Sequence, residues 1–140
     1  MKNLPLVRLG LGLAVFGLAL TVYAGATAPE WKVPAWRARR KNPVPATAES
    51  IAAGKVVYTK NCFACHGALG KGDGPAARDL DVKPRDLSSP EVQKQSDGAL
   101  FYMITEGRKP MPSFAQSLTE TQRWQVVNFI RTLAAKPDKK

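Results

Sequence analysis

Apolar residues fall in four blocks along this chain, and three of them carry a helical period. The first, Leu9 to Val22, is an unbroken run without charge and without period. In the second, Ile51, Ala52, Val56 and the pair Gly54/Tyr58 recur at helical spacing, predicting a helix from Glu49 to Asn61. The third places Leu100, Phe101 and Ile104 on one face of a helix from Gly98 to Glu106, with Asp97 as cap and Gly107 as stop. The fourth has the clearest start signal: Thr119 followed by Gln122 is a capping box. Trp124, Val127, Ile130 and Arg131 then form one helical row, flanked by Val126, Phe129 and Leu133, with the helix running out near Ala135. Between the blocks lie a Gly-rich loop (Gly67 to Pro75), a short helical piece (Ala76 to Leu80), an irregular stretch at 82–95 with Pro84 and Pro90, and a proline-framed loop from Arg108 to Ser117. No alternation is long enough for a strand ladder and no internal repeat occurs. The expected fold class is all-α.

The first block changes the domain count. Lys2 and Arg8 precede or open it, and Val22-Tyr23-Ala24, Ala24-Gly25-Ala26 and Ala26-Thr27-Ala28 offer small-residue cleavage sites. Residues 1–24 read as a secretory signal peptide, the alternative being a short N-terminal anchor, because the run is shorter than the roughly 20 residues a spanning helix needs. No cysteine near the cut provides for a lipid thioether. Residues 25–46 hold Pro29, Pro34, Pro43 and Pro45, the cations Lys32, Arg37, Arg39, Arg40 and Lys41, and Trp31 and Trp36. Such an extension is either a solvated tether or a docking strap for a protein groove or membrane interface. One domain, 47–136, and a basic tail, 137–140, complete the chain. Cleavage after residue 24 would remove two cations and no acid, lowering the formal charge from +10 to +8. That excess suits an acidic protein partner or an anionic membrane surface, and export argues against nucleic acid.

Two cysteines in an exported chain would ordinarily read as a disulfide. Here Cys62-Phe63-Ala64-Cys65-His66 is a C-x-x-C-H sequence, the signature of covalent haem attachment. Two intervening residues bring both sulfurs to one porphyrin edge, and the adjacent histidine is carried under the iron. His66 is the only histidine, so a zinc site lacks ligands. A thioredoxin-like pair would need an α/β sheet. Of three methionines, Met1 leaves with the signal and Met103 falls mid-helix, where packing is the expected role. Met111, between Pro110 and Pro112, is the expected second iron ligand, with Phe114 near the haem edge.

These residues resemble class I c-type cytochromes, the small bacterial monohaem group, over about 47–135. The shared features are C-x-x-C-H, Gly74-Pro75 after the histidine, the step from His66 to Met111, and Gly54 and Tyr58 on a first helix opposite Val126 and Phe129 on the last. The resemblance implies N- and C-terminal helices crossing around one haem c bound through Cys62 and Cys65, ligated by His66 and Met111. It also implies that the Pro75 carbonyl accepts the other ring N–H of His66. Asn61 and Pro84-Arg85-Asp86-Leu87 are similar to the same group without an assigned role. The implied function is non-enzymatic: single electrons carried between periplasmic or membrane-bound redox proteins. The alternative is a fixed electron-transfer subunit of a respiratory or dehydrogenase complex, docked through 25–46. A haem enzyme or gas sensor would need an open iron position. Trp124 is expected to pack near the haem, Lys83 and Arg85 to be solvated or to meet a propionate, and Arg108, Lys109, Lys60 and Lys71 to form a cationic collar for acidic redox partners.

Overall fold

The computed structural model describes residues 31–134; the signal segment, residues 25–30 and the basic tail lie outside them. Six α-helices are present among these residues: α1 (Ala35–Ala38), α2 (Ala48–Asn61), α3 (Phe63–His66), α4 (Pro90–Gln93), α5 (Asp97–Glu106) and α6 (Glu120–Thr132), with a 3-10 turn at Ala77–Asp79. The expected all-α class holds, the single β-type contact among the described residues being the isolated pairing of Arg108 with Met111.

The starts of α2, α4, α5 and α6 each follow from a side chain that satisfies an orphan backbone donor. Thr47 caps α2 by accepting from the Ser50 N–H. The capping box of α6 is complete: Thr119 Oγ1 accepts from the Gln122 N–H at 3.2 Å, and Gln122 Oε1 accepts from the Thr119 N–H at 2.9 Å. For α5 the cap is Ser96, one residue before the expected Asp97; Asp97 instead binds Arg131, 2.7 Å away. The stretch 82–95, expected to be irregular, contains α4, because Ser89 caps it and Pro90 supplies a preset φ at the first position. The helix α6 stops at Thr132 rather than near Ala135.

Helices α2 and α6 cross as the resemblance implied, and glycine permits it. A Cβ on Gly54 would lie 2.0 Å from the Gln125 carbonyl oxygen and 3.1 Å from Phe129 Cβ. Tyr58 and Phe129 meet beside it, ring centroids 5.0 Å apart. The pair Gly54/Tyr58 of α2 is buried as expected, but Ala52 and Val56, counted in the same row, fall outside the buried face. Ser50, Gly54, Val57 and Tyr58 are buried, whereas Val56 is 55% exposed. Around this crossing, Leu100, Phe101 and Ile104 of α5, Trp124, Val126, Val127 and Ile130 of α6, and Val92, Phe114 and Leu118 form the core. Trp124 stacks on Phe101 at 3.9 Å and 15°.

In its described part the extension is not an extended tether. Residues 31–46 fold back over α5 and α6. Ser96 Oγ donates to the Ala38 carbonyl at 2.6 Å, and Arg40 pairs with Glu120 at 2.7 Å while lying over the Phe101 ring. Asn42 Nδ2 donates to Asn128 Oδ1 (2.8 Å), and Asn128 Nδ2 reaches Ser50 Oγ and the Val44 and Pro45 carbonyls at 3.0–3.2 Å. A buried asparagine is stable only when its donors and acceptors are met. The 31–46 segment meets them, so this part of the extension belongs to the fold. The composition argument failed because prolines exclude a long helix but do not prevent docking.

Candidate haem cleft

One cleft opens beside the α2–α6 crossing, with an empty volume of about 1190 Å³ including its mouth. Cys62, Cys65, His66, Met103, Met111 and Phe114 all line it, over a floor that includes Leu100, Ile104, Val126 and Ile130.

The C-x-x-C-H corner is built by local backbone. Cys62 ends α2 and starts the single turn α3, its carbonyl accepting from the Cys65 and His66 N–H groups at 3.2 and 2.9 Å. The following loop then doubles back. Gly72 N–H donates to the His66 carbonyl, Gly74 N–H to Cys65 and Ala76 N–H to Ala64, at 2.8–3.1 Å. Only glycine fits at 74, where a Cβ would stand 2.3 Å from the Ala64 oxygen. Tyr58, 2% exposed, donates its hydroxyl to the Gly67 carbonyl at 2.8 Å, and burial raises its pKa, aided by Cys62 and Asp73.

Both thiols are free. Burial, with Cys65 close by, pushes the Cys62 thiol up to about 12. That is opposite to the depressed thiol of a dithiol oxidoreductase. Burial lowers the pKa of His66 despite the opposing hydrogen bond to Arg85, which keeps the imidazole neutral, the form that ligates metal. His66 Nδ1 lies 3.2 Å from the Arg85 carbonyl oxygen. A carbonyl only accepts, so Nδ1 carries the proton and Nε2 keeps its lone pair.

The Pro75 carbonyl is therefore not the partner of the imidazole. Pro75 is exposed and does not line the cleft. The reason is the course of the chain at 84–87. Leu87 N–H donates to the Gly70 carbonyl at 2.6 Å and the Pro84 carbonyl crosses closely over Gly72, which brings the Arg85 backbone to His66. The Pro84–Leu87 stretch thus acquires the role it lacked in the sequence.

The methionine loop is a tight turn. Arg108 and Met111 exchange backbone hydrogen bonds at 2.9 Å each way around a cis Lys109–Pro110 bond. Met111 packs against the core cluster. Met103 lines the same cleft, half-buried, so its expected purely structural role does not set it apart by position. Below the loop, Arg123, 8% exposed, donates through Nη1 to the Phe114, Ala115 and Leu118 carbonyls at 2.5–3.2 Å. No sequence signal singled it out, because it sits among polar residues at the start of an amphipathic helix.

Other expected positions shift. Lys83, Arg85, Arg108 and Lys109 line the cleft, but Lys60 and Lys71 do not. Arg85 is paired with Glu91 at 2.5 Å and Lys71 with Asp86 at 3.4 Å. Trp124 is not on the cleft wall; it is buried between Phe101 and the N-terminal segment. Trp31, expected in a tether, does line the cleft.

The residues present fit a covalent haem. Two thiols, a neutral imidazole with a free lone pair and two thioethers border one apolar cleft. Gln95 Oε1, buried in a residue of the same wall, has no hydrogen-bond partner among the described residues. No group of three His, Cys, Asp or Glu able to hold another metal occurs among those residues.

Comparison with known proteins agrees. Residues 49–130 match the family described as cytochrome c oxidase, cbb3-type, subunit III. Cytochrome c6 of Alaria esculenta is 31% identical over 83 residues, 59% of this chain and 91% of that protein. Cytochrome c6 of Thermosynechococcus vestitus is 33% identical over 91 residues, 65% of this chain and 77% of that protein. Among solved structures, a chain of the Kuenenia stuttgartiensis reducing HAO-like protein complex superposes with a TM-score of 0.59 at 31% identity. That match covers 66% of this chain and 47% of the other, so this chain spans about half of that subunit. The c-type cytochrome KustC0563 superposes at 0.52 with 27% identity, covering 59% of this chain and 98% of its own. The chain belongs to the matched family and is a small all-α c-type cytochrome, with Cys62 and Cys65 as the attachment points of its haem c.

Proposed function

We propose that this chain is a monohaem electron carrier, exported to the periplasm by residues 1–24, whose iron is held by His66 and Met111. The observation that carries the reading is that one apolar cleft is lined by Cys62, Cys65, His66 and Met111 together. Haem supplies a one-electron couple; the chain's own residues decide how it is used. Neutral His66, its proton fixed at Nδ1 by the Arg85 carbonyl, offers Nε2. The thioether of Met111 is a soft ligand that favours Fe(II) and raises the potential. With both in place no iron position is left for dioxygen or peroxide, which favours a carrier over a haem enzyme or gas sensor. The apolar floor keeps water away from the group. The cations on the cleft wall suit an acidic redox partner.

The test is spectroscopic. The ferric holoprotein should show the weak red charge-transfer band of methionine–iron ligation, and the reduced form should resist carbon monoxide. A high-spin ferric spectrum with rapid carbon monoxide uptake would replace the carrier with an open-site protein.

One observation favours the second reading, a fixed subunit of a membrane-associated redox complex. Trp36 is 59% exposed beside the Arg37 guanidinium, on a segment that is itself firmly held. Exposed tryptophan flanked by cations suits an interface. Solubilised membranes decide: haem-stained protein that elutes with large partners, and is released by Trp36→Ser, supports the subunit.

A further inference from the structure

The N-terminal segment contributes a residue to the haem site from outside the 49–130 stretch that defines the family. Trp31 lines the cleft together with Cys62, His66 and Met111. Its ring lies under the Arg108 guanidinium, 4.7 Å from centroid to carbon, and Arg108 is the residue whose backbone brackets Met111 in the tight turn. Three anchors keep the segment in place: Ala38 to Ser96, Arg40 to Glu120 and Asn42 to Asn128. Trp36, five residues on, has its own cation, Arg37, and does not touch the cleft.

We infer that Trp31 is a haem-site residue that walls the cleft beside the methionine loop and, through Arg108, latches that loop so that Met111 stays on the iron. The proposal rests on the reading of Met111 as ligand. A loop held by a two-residue-wide turn is the easiest part of the site to open, and a cation seated on an indole face resists that opening by an amount that survives in water. The anchored segment supplies the indole already positioned, so little ordering entropy opposes the contact.

The experiment titrates ferric holoprotein with imidazole, which displaces methionine only when the loop opens, and follows absorbance. Trp31→Ala should bind imidazole about threefold to tenfold more tightly than the parent, the range a single cation–aromatic contact commands. Arg108→Met cuts the same contact from the loop side and should shift in the same direction. Trp36→Ala should match the parent. Amide hydrogen exchange at Met111 should quicken in Trp31→Ala by a similar factor. If Trp31→Ala and Arg108→Met both stay within twofold of the parent, the latch is overturned. Met111→Ala separates the two ideas: it should bind imidazole without competition. If it instead titrates as the parent does, the ligand reading fails and the latch with it. If it binds freely while Trp31→Ala is unchanged, the latch alone fails.

Discussion

Between Tyr58 and Ala76 the backbone is tied to itself. Every hydrogen bond within the C-x-x-C-H corner, apart from the Arg85 contact, joins residues within twelve positions of each other. Between Gly107 and Leu118 the methionine loop depends on the rest of the molecule: Arg123 of α6 below it, Thr105 and Ile104 of α5 behind it, and Trp31 beside it. The two halves of one site are thus held by different means. The corner is closed by its own backbone; the loop is hung between the ends of α5 and α6 that flank it in sequence, with Trp31 as its distant support. Both closures span few residues and lose little chain entropy, but the loop also needs α5, α6 and Trp31 in place.

The strongest way to break the corner is at its tightest approach. Gly74→Val puts a branched side chain where a single Cβ already lies 2.3 Å from the Ala64 oxygen. With rigid backbone on both sides, the loss should exceed about 3 kcal/mol. Urea unfolding of the holoprotein measures it, and the yield of haem-attached chain should collapse in parallel. A stable, normally loaded Gly74→Val would show that the corner is looser than its contacts imply.

On the loop, ligand and scaffold can be separated. Met111→Ala should abolish the methionine–iron band, lower the reduction potential and admit carbon monoxide to the ferrous protein. Met103→Ala removes a half-buried side chain from the same cleft and should cost about 2 kcal/mol while leaving the band intact. Reversed outcomes would exchange the two assignments. Arg123→Met tests the support itself. It withdraws three hydrogen bonds from carbonyls beneath the loop, two of them in buried contacts, at about 2–4 kcal/mol. Because the corner shares none of these bonds, its thioether attachment should be unaffected, and denaturing electrophoresis with haem staining would check that.

The same division decides what could be read from the chain. The capping box of α6, the end of α2 at Asn61 and the C-x-x-C-H turn are short-range patterns, and the sequence states them directly. The partner of His66 was misplaced to Pro75 because it lies across a chain reversal: Arg85 is 19 residues away and only the 84–87 crossing brings it back. Asn128 and Trp31 were missed or misjudged for the same reason. Their value comes from contacts such as Asn42 to Asn128, 86 positions apart, and composition carries no trace of those. In α2 the pair Gly54/Tyr58 was legible as the face that admits the α6 backbone, whereas the apolar Val56 falls on the exposed side and misled the count.

Charge gives the smallest effect and the finest distinction between corner and loop. The cations near the corner are neutralised in part: Arg85 by Glu91 and Lys71 by Asp86. Lys109 sits exposed on the loop, on the cleft wall. An anionic partner approaching the haem edge should therefore feel the loop more than the corner. Exposed charges are screened over roughly 8 Å at physiological ionic strength, so their influence on encounter should fade as salt rises. With ferricyanide as anionic oxidant, Lys109→Glu should slow oxidation of the ferrous protein by several-fold at low salt and hardly at all at high salt. Lys71→Glu, which brings a second carboxylate beside Asp86, should slow it less because that site is off the cleft wall. Equal slopes against ionic strength for the two variants would mean that net charge alone governs the encounter and that the loop has no directing role.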